Sequence, residues 1–130
     1  MSRASAVLQE KLADLYLADN KLLDAADTYL SAYALSKSTM QRQRIAFEGQ
    51  RVLALFGREA KAVELLLNVL KENPDYSDKL AVYSRLVTLT RRMGKDAEAA
   101  KYQAEVDRLT PPPPPPATNS PAPAPAARKP

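Results

Sequence analysis

Apolar residues recur along most of this chain at the three- and four-residue spacing of a helix, with no alternation of the kind a strand requires. Leu8, Leu12, Leu15 and Tyr16 fall on one stripe of a first segment, about Ser5 to Leu17, which Asp19-Asn20-Lys21 breaks. Leu22, Ala25, Ala26, Tyr29, Ala32 and Tyr33 line the inner face of a second, about Leu22 to Ser36. Ser38 with Gln41 three residues later is a capping-box pattern and opens a third helix, running to about Phe56, which Gly57 closes. Ala62, Val63, Leu66, Leu67, Val69 and Leu70 define a fourth, about Glu59 to Glu72, stopped by Asn73-Pro74. Val82, Tyr83, Leu86, Val87 and Met93 define a fifth, about Ser77 to Met93, with Gly94 as its terminal turn. The sixth, about Asp96 to Leu109, is the most polar. The spacing therefore predicts six helices.

The breaks are periodic. Aligning Asn20, Gly57 and Gly94 superimposes Ala25, Ala62 and Ala99, each 37 residues after the one before. Helical hairpins repeated at a constant period predict an open stack rather than a closed bundle. Small residues at the hairpin crossing let two backbones approach, and a larger residue one turn later fills the gap to the next unit. That larger position reads Tyr29, Leu66 and then Gln103, so the third hairpin reads as a terminal one with water on its outer face.

These residues resemble the tetratricopeptide repeat family. Leu12, Ala13, Tyr16, Leu22, Ala25, Tyr29 and Ala32 carry the resemblance in the first hairpin, and Gly57, Ala62, Leu66, Val69 and Pro74 in the second. Tyr83, Leu86, Gly94, Ala99, Val106 and Pro111 carry it in the third. The sequence departs from the family in its longer period, in Gly49-Gln50 lying one place off register, and in Thr90 where a Tyr is typical. The resemblance implies an all-α, short right-handed solenoid of three antiparallel hairpins, over residues 5–37, 38–74 and 77–110. It also implies a concave groove, lined by the first helix of each hairpin, that takes a peptide or helix of another protein.

At about 100° per residue, Ile45, Gly49, Val52, Leu53 and Phe56 form the inner stripe of the third helix. Arg44, Phe47, Arg51 and Ala54 fall opposite it, while Arg42 points to the core-side edge. The fifth helix turns Ser84, Arg85, Thr88, Arg91 and Arg92 outward, and the first turns out Glu10, Asp14 and Leu17. The partner-binding candidates are thus Asp14, Arg44, Phe47, Arg51, Thr88 and Arg91, with Phe47 as apolar anchor and the arginines reading an acidic ligand segment. Glu10 and Asp14 stand where the carboxylate-clamp subtype of the family carries Lys and Asn, so that subtype is a poor match.

Composition narrows the chemistry. The chain has 130 residues with no Cys, no His and three dispersed Gly, which removes thiol and His-dependent nucleophiles, zinc modules and glycine-rich phosphate loops. We expect no catalytic residues, metal or cofactor. Ten of the eleven prolines follow Thr110, and all 15 acidic residues precede it with 17 of the 19 basic ones. Residues 1–110 therefore carry a net charge of +2, too small for a nucleic-acid reading despite Arg42, Arg44 and Arg51. Residues 111–130 are expected to be a disordered Pro/Ala-rich tail, a polyproline II spacer reaching about 60 Å at about 3.1 Å per residue. With no signal-like or membrane-spanning stretch, the expectation is a soluble, cytoplasmic protein-binding adaptor. An assembly or secretion chaperone of the same repeat type, a nucleic-acid-binding repeat and self-association through the ends of the stack are the alternatives.

Overall fold

The computed structural model describes residues 5–115. They form six α-helices: α1 (Ala6–Ala18), α2 (Leu22–Leu35), α3 (Thr39–Leu55), α4 (Glu59–Glu72), α5 (Lys79–Arg92) and α6 (Asp96–Leu109). There is no strand among the described residues. Each helix packs on its neighbours in chain order, giving three antiparallel hairpins in sequence. Pro111 to Pro115 are exposed and neither helical nor strand, and the expected tail beyond them lies outside the described residues.

The 37-residue period is written into the backbone hydrogen bonds. Within each hairpin the first helix ends on a residue in the left-handed region: Asn20 at φ 59°, Gly57 at 76° and Gly94 at 73°. The N–H three places past the helix then bonds back to the last turn, from Lys21 to the Tyr16 carbonyl (2.8 Å), Arg58 to Leu53 (3.0 Å) and Lys95 to Thr90 (2.9 Å). The turn residue bonds in parallel, from Asn20 to Leu17, Gly57 to Ala54 and Gly94 to Arg91. This double bond pattern satisfies carbonyls that a helix end leaves orphaned, and it needs a positive φ at its pivot. One turn into each second helix, Ala25, Ala62 and Ala99 are buried, as the close crossing of two backbones demands.

Capping follows the sequence with one difference. The Ser38 Oγ accepts from the Gln41 N–H (3.3 Å), but the Gln41 side chain does not return to Ser38. Instead its Oε1 accepts from the Ser36 hydroxyl (2.7 Å) and its Nε2 lies 3.5 Å from Glu10 Oε1, so the second half of the capping box is spent on bridging to α1. α5 starts at Lys79 rather than Ser77, because the Asp78 carboxylate caps it by accepting from the Ala81 N–H (3.2 Å).

The core is small-to-large packing along the stack: Tyr29, Ile45, Leu53, Leu66, Leu86 and Leu89 are fully buried. Gly49 belongs to it, since a Cβ there would lie 3.3 Å from Tyr29 Cβ and 3.3 Å from Leu65 Cδ1. Thr90, standing in a fully buried position, satisfies its hydroxyl on the Leu86 carbonyl (2.7 Å) within its own helix. On the edge formed by α2, α3 and α4, the Arg42 guanidinium lies 3.9 Å from the Tyr33 ring centroid and pairs with Glu72. Arg42 thus sits on the core-side edge that its helical angle predicts.

One apolar position read as inner from the sequence is not, and one apolar stripe is left uncovered. Phe56 is the C-cap of α3 and is 39% exposed. The stripe on α1 is open as well, with Leu8 62%, Leu12 39% and Leu15 66% exposed, while Glu10 and Ala13 are the buried residues of that helix. A stripe at helical spacing specifies that a face is apolar, and only a neighbouring element makes it buried.

Candidate functional site

The face that α1, α3 and α5 turn away from α2, α4 and α6 carries most of the predicted site residues. Lys11, Asp14 and Ala18 are exposed on α1, Met40, Arg44, Arg51 and Leu55 on α3, and Ala81, Thr88 and Arg92 on α5. These residues occur at helical spacing on each element and at equivalent places in the three repeats, so the stacking itself assembles the surface.

Its electrostatics differ from one end to the other. On α1 the Glu10 carboxylate is taken by Arg44, whose Nε and Nη2 lie 2.6 and 2.7 Å from its oxygens. That bidentate bond, helped by Gln41 and opposed by burial, holds the Glu10 carboxyl below its ordinary range. Asp14 accepts the Tyr29 hydroxyl (2.5 Å) rather than pairing with Arg51, and Arg51 pairs instead with Glu48 one turn earlier on its own helix.

The opposite end is different. Arg85 is half-buried, and its Nε donates to the Gln50 Oε1 at 2.8 Å, linking α5 to α3. Burial lowers its affinity for its proton, and the positive charges of Arg92 and Arg51 lower it further, so three guanidinium groups share one region. Among the described residues no carboxylate lies within 4 Å of Arg85, Arg91 or Arg92. A half-buried cation with cationic neighbours and only a neutral amide as partner is an arrangement that an incoming carboxylate or phosphate stabilises.

The predicted residues are therefore only partly brought together. Arg51 borders the cationic region. Arg91 is exposed on the last turn of α5, on the other side of Thr88 from Arg85, where its charge complements the helix dipole. Thr88 is exposed, its hydroxyl 3.3 Å from the Ser84 carbonyl. Arg44 is engaged by Glu10 and is not a free charge. Phe47 is half-buried with its ring centroid 5.9 Å from that of Tyr76 in the α4–α5 connection, so it fastens two hairpins together instead of standing on the open surface.

The sequence reading places Arg85 outward but gives Gln50 and Arg92 no role in the site. The available signal was the repeat: Lys11, Glu48 and Arg85 share one repeat position, 37 residues apart, and only the last of them leans on a polar residue of the preceding hairpin. No helix of the described residues is long and apolar enough to cross a membrane. Compared with protein-family models, curated proteins and solved structures, the chain finds no significant match.

Proposed function

We propose that the chain is a divergent tetratricopeptide-type adaptor, non-catalytic, which holds an acidic peptide or helix of a partner protein across the α3 and α5 part of the face just described. The observation that carries this reading is the half-buried Arg85, held by Gln50 beside the positive charges of Arg92 and Arg51, with no carboxylate within 4 Å of Arg85 or Arg92 among the described residues. Arg is the residue suited to bidentate capture of a carboxylate, and a half-buried guanidinium loses less water on binding than an exposed one. Leu55 and Met40, both exposed on the same face of α3, supply apolar contact for an anchor side chain. The repeated turn geometry at a 37-residue period supports a repeat-type scaffold, and the family resemblance supports the groove as the place where the ligand lies.

The test is fluorescence anisotropy with a labelled helical probe peptide bearing glutamates at four-residue spacing and one leucine anchor, against the same peptide with lysines for glutamates. The acidic probe is expected to bind and weaken as salt rises, and Arg85→Gln, Arg92→Glu and Arg51→Glu are each expected to weaken it. Equal binding of both probes, or an Arg85→Gln variant of wild-type affinity, overturns the reading.

A further inference from the structure

The open stripe on α1 has counterparts in the other two repeats. Adding the 37-residue period, Leu8, Leu12 and Leu15 correspond to Ile45, Gly49 and Val52 on α3, and to Val82, Leu86 and Leu89 on α5. All six counterparts are buried. The preceding hairpin supplies part of the cover: a Cβ on Gly49 would meet Tyr29 of α2 at 3.3 Å, as it would Leu65 of its own hairpin. In α1 the same three positions lie about 140–200° around the helix from Glu10, the residue that reaches toward α3, so they form the outer end of the stack. The first repeat thus carries the docking face of an internal repeat, and it lies open.

The other end does not. On α6 the positions equivalent to Leu22, Tyr29 and Tyr33 of α2 are Asp96, Gln103 and Asp107, and those equivalent to Ala26 and Leu30 are Ala100 and Ala104. This end is a polar cap, of the kind a terminal repeat needs in water. Head-to-tail stacking would bring the leucine stripe onto aspartates and a glutamine. The same stripe on a second copy, by contrast, matches it in length and in apolar character.

We propose that two copies of this chain associate through their α1 faces in a two-fold, isologous dimer, with Leu8, Leu12 and Leu15 of one copy covering those of the other. The association buries on each copy a face whose equivalents are buried twice within the chain, and it closes after two copies because both outward ends are then polar caps. Shallow hollows of about 450 and 410 Å³ flank Leu15, one bordered by Leu12 and Tyr16 and the other by Lys11 and Asp14, with room for leucine side chains of the second copy. The α3 and α5 face stays open in such a dimer, so the assembly would present two ligand surfaces and bind paired ligands with avidity.

Sedimentation equilibrium of the 130-residue chain over a wide concentration range tests this. The expected mass rises from that of one chain, 14.3 kDa, to that of two and no further. Leu8→Gln/Leu15→Gln is expected to weaken association on the order of a hundredfold with unchanged helical circular dichroism, since both side chains are exposed in the single chain. Leu12→Glu is a second variant with the same expectation should the first lose helicity. Ala100→Glu, on the capped end, should leave the dimer intact. A monomer at all concentrations, a dimer insensitive to the α1 variants, or growth past two copies that Ala100→Glu abolishes would each overturn the proposal.

Discussion

Glu10 on α1 and Arg44 on α3 are joined by two hydrogen bonds of 2.6 and 2.7 Å, and this pair spans 34 residues of sequence to tie the first hairpin to the second. The carboxylate is nearly buried while the guanidinium is about half exposed, so the pair is partly screened by water. Glu10→Gln is expected to lower stability at neutral pH by about 1–2 kcal/mol, through loss of a charge-assisted bond at a buried site. The sign with pH follows from the lowered carboxyl: its contribution is full above the ordinary glutamate range and is lost as pH falls through the folded-state value. Urea titrations should thus separate the variant from the wild type at neutral pH and bring them together in acid. Parallel curves at all pH values would refute the assignment.

On the opposite edge, Glu72 accepts from Arg42 Nε (3.0 Å), Arg42 Nη2 (2.9 Å) and the Tyr33 hydroxyl (3.2 Å), while Arg42 Nη1 donates to the Tyr33 and Ser36 carbonyls. A lysine cannot reproduce this planar fork. Arg42→Lys is expected to cost roughly 1–3 kcal/mol, more than Glu72→Gln, which leaves the two carbonyl bonds in place. The midpoint of denaturant unfolding should shift with an unchanged slope. The reverse order of the two variants would place the stabilisation in the ion pair alone.

Much of this arrangement is legible in the residues. Asn20, Gly57 and Gly94 announce the three hairpin turns because few other residues accept a positive φ, and Ala25, Ala62 and Ala99 mark the close crossings between them. The fate of individual faces is less legible. Leu8, Leu12 and Leu15 form an apolar stripe with the spacing of Ile45, Gly49 and Val52, yet burial depends on what packs against the helix in the stack. Phe47 reads as an open anchor on the angle of α3 alone, whereas its half-burial comes from Tyr76, 29 residues away in a connection with no periodicity to place it. Arg85 is legible as an outward charge, but its Gln50 bond depends on the distance between two hairpins, which no local pattern carries.

Tyr29 is fully buried, and its hydroxyl donates a hydrogen bond to Asp14 at 2.5 Å. Burial, then the hydrogen bond and charge of Asp14, push its phenol well above the ordinary range, and Tyr33, Tyr76 and Tyr102 are raised chiefly by burial. A raised acid titrates late in the folded state, so its contribution is full below the ordinary tyrosine value near about 10 and is lost as pH rises through the folded value. Alkaline unfolding should therefore coincide with a late, cooperative rise in phenolate absorbance. Tyr29→Phe is expected to cost about 0.5–1.5 kcal/mol at neutral pH and to flatten the alkaline arm. A gradual phenolate rise at the ordinary value, ahead of any loss of helicity, would contradict the burial of these rings.

The three glycines make separable predictions. Gly57 and Gly94 have positive φ and no crowding side-chain neighbour, so Gly57→Ala is expected to cost about 1–2 kcal/mol from backbone strain alone. Gly57→Asn should cost distinctly less, because Asn20 occupies the same place in the first hairpin at φ 59°. Gly49 is helical, where alanine gains about 1 kcal/mol in propensity, but the new methyl would stand 3.3 Å from Tyr29 Cβ and Leu65 Cδ1. Leu65 can swing its methyl aside. Tyr29 cannot, since its ring is buried and its hydroxyl is held by Asp14, so overpacking of about 1–3 kcal/mol is expected to outweigh the propensity gain. Gly49→Val adds branching to the same clash and should be worse than Gly49→Ala. Denaturant midpoints for the four variants decide the matter: stabilisation by Gly49→Ala would mean that α2 and α3 have room to separate, and equal losses in Gly57→Ala and Gly57→Asn would mean that the turn is not set by φ.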